Sequence, residues 1–257
     1  TRIAILRKKA RADGLDITDD GNGLDITNAD ARQFMRNLYH EYAELFYDSK
    51  YFNIGGDEFI DFEDFSSYPF LKEYAINELK ITDGTGIDTY IEFLNEMIEL
   101  LEEKGYIVRL WNDGLHRLNQ DELVKLKESA EICYWTKYNQ YMAPLSTFEE
   151  KGYQLINYNA DYFYYVLHVE AGVKIIDPQT WYETWHPYEF SGKQLLENKD
   201  LLQGASYSIW CDAPEIATET EIYEHTEMPL WAIADRMWNP HDQATLTNLE
   251  AKIKQYQ

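Results

Sequence analysis

Basic residues are scarce in this sequence: 23 Lys and Arg stand against 46 Asp and Glu, a formal net charge of −23. A surface that negative repels phosphate backbones and anionic bilayers, so no nucleic acid and no membrane surface is expected as a partner. It suits a neutral or cationic ligand. Cysteine is scarcer still. Cys133 and Cys211, the two in 257 residues, each lie in an apolar stretch (EICYW and SIWCD) and read as buried free thiols. A disulfide between them stays open, and two cysteines leave the compartment open too. No apolar run reaches the roughly 18 residues of a membrane span, so no membrane insertion is expected. A secretory leader pattern is missing, and Thr1 in place of Met leads us to expect a processed or truncated start. None of the six histidines (His40, His116, His168, His186, His225, His241) shows metal-ligand spacing, so no metal site is expected. His168, among Tyr and Val, reads as a core or rim residue. No Pro/Ser-rich linker divides the chain, which predicts one domain over residues 1–257, with 1–27 as an atypical leader.

Aromatic side chains are what the sequence has in excess: 15% of residues, with 21 Tyr and 7 Trp. Such rings fill cores, and they also supply flat faces on which sugar rings stack. Along the chain, Leu15-Asp16-Ile17-Thr18 echoes once as Leu24-Asp25-Ile26-Thr27 across a Gly/Asn/Asp-rich stretch, and reads as a loop leading into a helix. Ala31, Phe34, Leu38, Tyr42 and Leu45 fall at helical spacing, with Thr27 or Asn28 as the cap. A short strand follows at 51–54. The next helix is predicted over 89–104, with Thr89 and Glu92 as a capping box, a stripe of Ile91, Leu94, Ile98 and Leu101, and Gly105 as its stop. The Glu and Lys along 92–104 read as its solvated face. A strand over 106–110, a short helix over 121–130, a strand over 132–134, a helix near 145–151, and strands at 154–157 and 205–209 come next. An apolar helix over 228–238 closes the pattern. Strands alternating with helices predict parallel βα units, hence an α/β fold, as a doubly wound sheet or a barrel.

Three of the predicted strands run into tryptophan, at Trp111, Trp135 and Trp210. In a (β/α)8 barrel the C-terminal strand ends line the active site, where indoles would surround one ring-shaped ligand. A fourth strand ends in Gly55-Gly56-Asp57-Glu58. Adjacent strand residues point to opposite faces, but glycines let the backbone twist so that both carboxylates can turn one way. Paired carboxylates are the equipment of glycoside cleavage. Trp181 and Trp185 read equally as a second sugar subsite or as packing under a loop.

Gly55-Gly56-Asp57-Glu58-Phe59 also spells the signature of diguanylate cyclases. The Arg and the upstream metal segment usual in that family are missing, and no basic cluster for triphosphates lies nearby. A longer resemblance, over roughly residues 24–240, is to family 20 β-N-acetylhexosaminidases. Phe52-Asn53-Ile54-Gly55-Gly56-Asp57-Glu58 resembles that family's Phe-His-Ile-Gly-Gly-Asp-Glu motif, with Asn53 where the His is usual. Leu110-Trp111-Asn112-Asp113 resembles the next strand end, and Asn157-Tyr158-Asn159 with Asp161-Tyr162-Phe163-Tyr164 resembles the Tyr-Leu-Asp or Tyr-Leu-Tyr segment. Ser208-Ile209-Trp210-Cys211-Asp212 resembles Trp-x-Glu, with a shorter acid, and residues 228–238 resemble the closing Pro-Arg-x-x-Ala-x-Ala-Glu-x-x-Trp helix.

The resemblance implies a (β/α)8 TIM barrel, incomplete in this chain, of which strands four to eight are present. Nothing in residues 1–30 resembles the earlier strands with their Arg and His/Asp residues. It implies a glycan containing N-acetylglucosamine or N-acetylgalactosamine as partner, no cofactor, and a secreted or cell-surface bacterial setting, with a cytoplasmic one left open. Family 20 enzymes use the substrate's own 2-acetamido oxygen as nucleophile. By resemblance Glu58 is the general acid/base, Asp57 holds the acetamido N–H, and Tyr162 donates to the acetamido oxygen. Trp111, Trp135 and Trp210 enclose the sugar, while Asp113, Tyr164 and Asp212 join them as binding residues, the last two on outer hydroxyls.

Overall fold

A computed structural model describes residues 24–60, 62–63, 65–169, 172–240 and 245–255. The Leu15–Thr18 half of the echo, residues 1–23 of the expected leader, and His241 lie outside them. The chain forms two compact units. The first runs to Ile132 and adds Asn139–Ala143 and Glu150–Tyr153; the second takes Cys133–Tyr138, Pro144–Glu149 and the chain from Gln154 on.

In the first unit, helix α1 (Ala29–Leu45) starts at Asn28, whose Oδ1 accepts from the N–H groups of Asp30 and Ala31 at 2.8 and 3.1 Å. Only part of its apolar stripe is covered: Ala31 is buried, but Tyr42 and Leu45 are exposed. Strand β1 (Tyr51–Asn53) is followed by helix α2 (Pro69–Asn77), which sequence periodicity missed because it buries only Leu71 and Ala75. Helix α3 (Gly86–Glu102) begins three residues before the predicted start. The capping box is Thr85 with Asp88, not Thr89 with Glu92. Thr89 instead donates its hydroxyl to the Leu71 carbonyl at 2.6 Å. The predicted stripe Ile91, Leu94, Ile98 and Leu101 is fully buried, and Gly105 reverses the chain at φ +90°. The face read as solvated is not wholly so. Glu92 and Glu96 grip the buried Arg32 guanidinium at 2.7 and 2.6 Å, which also lies 4.9 Å from the Tyr74 ring centroid.

Strand β2 (Ile107–Trp111) pairs in parallel with β1, Tyr51 against Ile107 and Asn53 against Arg109. Phe52, between Tyr39 and Tyr106 at 5.5 and 5.4 Å, and the buried Val108 and Leu110 form the packed face. The other face carries Arg109, whose guanidinium lies 3.7 Å over the Tyr51 ring and binds Glu131 at 2.8 Å. No helix forms over 121–130. Acceptors on α3 draw those amides away from helical partners: Leu123 and Val124 donate to Asp88 Oδ1 at 2.7 and 2.8 Å, and Lys127 to Asn95 Oδ1 at 2.9 Å. Strand β3 (Glu131–Tyr134), buried throughout, ends this unit and opens the next.

The second unit contains α4 (Leu145–Glu150) except its last residue, β4 (Leu155–Asn157), β5 (Tyr164–His168), β6 (Gly172–Lys174) and the short pair β7 (Glu189–Phe190) and β8 (Gln194–Leu195). The single strand expected at 205–209 is two, β9 (Leu202–Ala205) and β10 (Ser208–Cys211). The chain changes partner between them: Ser206 N donates to Asn157 O, and Ser208 N to Phe163 O. Strand β9 therefore runs parallel to β4, and β10 parallel to β5. Helix α5 (Glu219–Trp238) is longer than its apolar half suggested. Thr218 and Glu221 cap a polar first half that carries no stripe. Helix α6 (Leu246–Ile253) was not foreseen. The core gathers Phe163, Trp181, Tyr182, Trp185, Ile233 and Leu249. Trp181 and Trp185 are 1% and 0% exposed, which decides for packing over a sugar subsite. Neither cysteine is in a disulfide; Cys133 is buried as expected, whereas Cys211 is half-buried. His168 is exposed. Among the described residues no helix is long and apolar enough to cross a membrane.

Candidate active site

In the first unit the β1–β2 ladder continues past Asn53: Ile54 N donates to Arg109 O at 2.8 Å, and Trp111 N to Gly55 O at 3.0 Å. Gly55 and Gly56 then take φ +79° and +89°, a left-handed pair that turns the chain out of the ladder. Asn53, in place of the histidine the resemblance leads one to expect, accepts from Gly55 N on Oδ1 at 2.8 Å and so starts this turn. Two tyrosines hold its carbonyls. Tyr39 Oη donates to Ile54 O at 3.0 Å, and the buried Tyr90 Oη donates to Gly56 O.

The turn delivers Asp57 half-buried and Glu58 exposed. Glu58 has φ +45°, a conformation that non-glycine residues rarely adopt and that clusters at functional sites. Its N–H donates to Asp113 Oδ2 at 2.9 Å. Asp113 is 2% exposed, and its backbone carbonyl accepts from Arg117 at 3.2 Å. The residue expected to touch sugar thus braces the Glu58 backbone. Burial holds the Asp57 carboxyl above the usual carboxylate range, although Asp57's own backbone N–H pulls it down. Glu58 is also raised, by partial loss of water and then by the Asp57 charge. Two neighbouring carboxyls biased toward their protonated forms can share work, one giving a proton while the other stays an anion. Trp111 stands half-buried at the end of β2.

In the second unit, Trp135, Tyr164 and Trp210 form a row. Trp135 and Tyr164 are parallel within 3° at 6.0 Å, and Trp210 lies 5.6 Å from Tyr164 at 54°. The β5–β10 pairing and a 3.0 Å bond from Ala160 N to Trp135 O put the three rings there. Tyr164 is thus the middle ring of an aromatic surface as well as a hydroxyl. Asp212, just past β10, is exposed.

The buried Asn157 and Asn159 are brackets. Asn157 Nδ2 donates to Pro187 O and Glu189 O, both at 2.9 Å, and Asn159 Nδ2 to Glu189 O at 3.3 Å. They fix Glu189, whose Oε1 accepts the Tyr162 hydroxyl at 3.2 Å. Tyr162 also stacks on Trp181 at 6.1 Å. Burial, then the Glu189 charge, raises the Tyr162 hydroxyl above the ordinary phenol range, so it stays a donor. Sequence reasoning missed Tyr39, Tyr90 and Glu189. The tyrosines sit inside helical apolar patterns where a core residue looks the same, and Glu189 carries no motif. Among the described residues, no group of three or more His, Cys, Asp or Glu is arranged to hold a metal.

A model of the glycosyl hydrolase family 20 catalytic domain matches residues 6–241, beginning ahead of residue 24, where the motif resemblance starts. The match, covering nearly the whole chain, sets aside the five-letter likeness to diguanylate cyclases. Lacto-N-biosidase of Bifidobacterium bifidum is 29% identical over 236 residues, covering 91% of this chain but 20% of its own length. The chain therefore spans about a fifth of that curated relative. Dispersin B is similar at a TM-score of 0.69 and 24% identity, over 91% of this chain and 68% of its own. A catalytic module of the pneumococcal exo-β-D-N-acetylglucosaminidase StrH is 25% identical at a TM-score of 0.62, over 84% and 51% of the two chains. The β-N-acetylhexosaminidase of Bacteroides fragilis reaches 0.69 at 19% identity, over 91% and 45%.

Proposed function

Because the chain belongs to glycosyl hydrolase family 20, we propose that it removes β-linked N-acetylhexosamine from glycans by retaining, substrate-assisted catalysis. The observation that carries this reading is the Gly55–Gly56 turn, which presents Asp57 and Glu58 side by side with both carboxyls raised. Glu58, exposed and raised, gives its proton to the leaving glycosidic oxygen and later takes one from the incoming water. Asp57 remains an anion, accepts the acetamido N–H, and stabilises the positive charge of the oxazolinium as the ring closes. Closure forms the bond from the acetamido oxygen to the anomeric carbon as the bond to the leaving oxygen breaks. Water then opens the ring with retention of configuration.

On this reading Tyr162 exchanges its Glu189 partner for the acetamido oxygen. Trp111, Trp135 and Trp210 offer faces to the sugar and its methyl group, and Tyr164 and Asp212 bind outer hydroxyls. Asp113 acts through Glu58. We further read the parallel strands as strands four to eight of the family's (β/α)8 barrel. Support comes from β1, which pairs on one side only among the described residues. In the chain just ahead of it, Tyr42, Leu45, Phe46 and Tyr47 are all exposed.

Turnover of chromogenic N-acetylglucosaminide and N-acetylgalactosaminide by the full-length protein tests the reading. Calorimetry with a thiazoline mimic of the oxazolinium adds a binding measure, since the mimic shares the ring of the intermediate. Turnover with tight thiazoline binding is expected. Thiazoline binding without turnover would mark an amino-sugar-binding protein instead, and binding of Mg²⁺–GTP without thiazoline binding would overturn the assignment.

A further inference from the structure

Tyr90 has no task in the chemistry just proposed, yet it is among the most tightly placed side chains of the first unit. It is 2% exposed. Phe59 stacks on its ring at 5.5 Å and 17°, and Phe62 meets it edge-on at 5.3 Å. Its hydroxyl donates to the Gly56 carbonyl. Two glycines leave room for that bond: a Cβ on Gly56 would lie 3.0 Å from Tyr90 Oη, and one on Gly114 would lie 2.8 Å from it.

The Gly56 carbonyl and the Asp57 N–H are two ends of one peptide group. That N–H serves the Asp57 carboxylate and is the influence that opposes its burial. A donor on the oxygen of a peptide makes its N–H a better donor, and in a water-poor setting such chains strengthen each bond by roughly 10–30%. We propose that Tyr90 is a positioning residue for Asp57, acting through the Gly56–Asp57 peptide: its hydroxyl fixes that peptide's plane and polarises the N–H that holds the carboxylate. Its donor state is secure. Burial, then the charges of Asp113 and Asp57, keeps the phenol well above its ordinary range. The titratable groups around this peptide are Glu58 beside Asp57, Tyr90 from α3, Asp113 from the segment after β2, bonded to the Glu58 N–H, and Tyr39 from α1, bonded to the Ile54 carbonyl. Of these, Tyr90 is the one that reaches the Asp57 amide through a bond.

The consequence for catalysis rests on the family 20 reading, in which Asp57 works as an anion. The effect on Asp57 itself does not. Two measurements on the full-length protein keep them apart: the Asp57 carboxyl titration by ¹³C NMR, and the pH profile of kcat/KM. In Tyr90→Phe, which keeps the ring contacts, the Asp57 midpoint is expected to rise by roughly 0.2–0.5 pH unit, the share a 10–30% weaker charge-assisted bond carries. The acidic limb of kcat/KM moves up with it. kcat falls roughly fivefold, as for one lost neutral hydrogen bond, while KM stays within about twofold. Tyr90→3-fluorotyrosine, a stronger donor of nearly the same size, moves midpoint and limb the opposite way and guards against a folding defect in the Phe variant. An Asp57 midpoint unmoved in both variants overturns the proposal and leaves Tyr90 a packing residue, whatever happens to kcat. A moved midpoint in a protein that turns over no amino sugar upholds the Tyr90 link and removes the proposed hydrolysis instead.

Discussion

The backbone N–H of Glu58 donates to Oδ2 of the buried Asp113 at 2.9 Å, tying the exposed acid to the segment that follows β2. Glu58 sits at φ +45°, so its conformation persists only while the surroundings hold it there. A carboxylate acceptor gives a charge-assisted bond, stronger than a neutral one.

Asp113 is therefore expected to act on the rate through Glu58. Asp113→Asn keeps an acceptor oxygen for the Glu58 amide and should retain much of kcat. Asp113→Ala leaves that amide unserved and should lose roughly tenfold or more. Equal losses in the two variants, with KM rising in both, would instead make Asp113 a sugar-binding residue.

Asp57 is held above its ordinary value of 3.8 by burial. The sign of the linkage follows: the folded chain binds this proton more tightly than the unfolded chain. Stability is thus full below the unfolded value and declines as pH rises through the folded one. At pH 7 the ionised Asp57 is a burden on the fold, and Asp57→Asn should raise Tm. The gap should close as pH falls through the raised folded value and wild type takes up its proton. Thermal melts across pH check this; a less stable Asn variant at pH 7 contradicts it.

Asp235 shows the opposite sign. Burial pushes it up, but hydrogen bonds from Lys252 at 2.8 Å and Tyr182 at 2.6 Å outweigh that and leave it lowered. Its contribution is present above the unfolded value and lost as pH falls through the folded one. Lys252 is half-exposed, so solvent screens the pair. Lys252→Met should cost about 0.5 kcal/mol at neutral pH and nothing once acid has protonated Asp235, read from denaturant melts across pH.

The elements with long, regular stripes were legible in the sequence: α1, α3 and the strands running into Trp111 and Trp135 all form. What failed did so for local reasons. The 121–130 helix loses its amides to Asp88 and Asn95, and spacing along one segment cannot show an acceptor on another. The expected strand at 205–209 splits because Ser206 and Ser208 bond to different neighbours. In the candidate site, Asp57 and Glu58 could be read from their letters and their glycines. The residues that brace them could not: Tyr90 lies inside a core stripe, and whether Asp113 meets sugar or a backbone amide depends on a turn at φ +79° and +89°.

The central claim is the division of labour between the adjacent carboxylates, and a leaving-group series in the full-length protein tests it most directly. Glu58→Gln removes the proton donor, so substrates with poor leaving groups should slow most, while an activated aryl glycoside keeps far more of its rate. Asp57→Asn removes the charge that stabilises the oxazolinium, so every leaving group should slow alike, by roughly 10²–10³. If Asp57→Asn shows the leaving-group dependence and Glu58→Gln shows none, the roles are reversed; if neither variant slows turnover, the chemistry lies elsewhere in the protein.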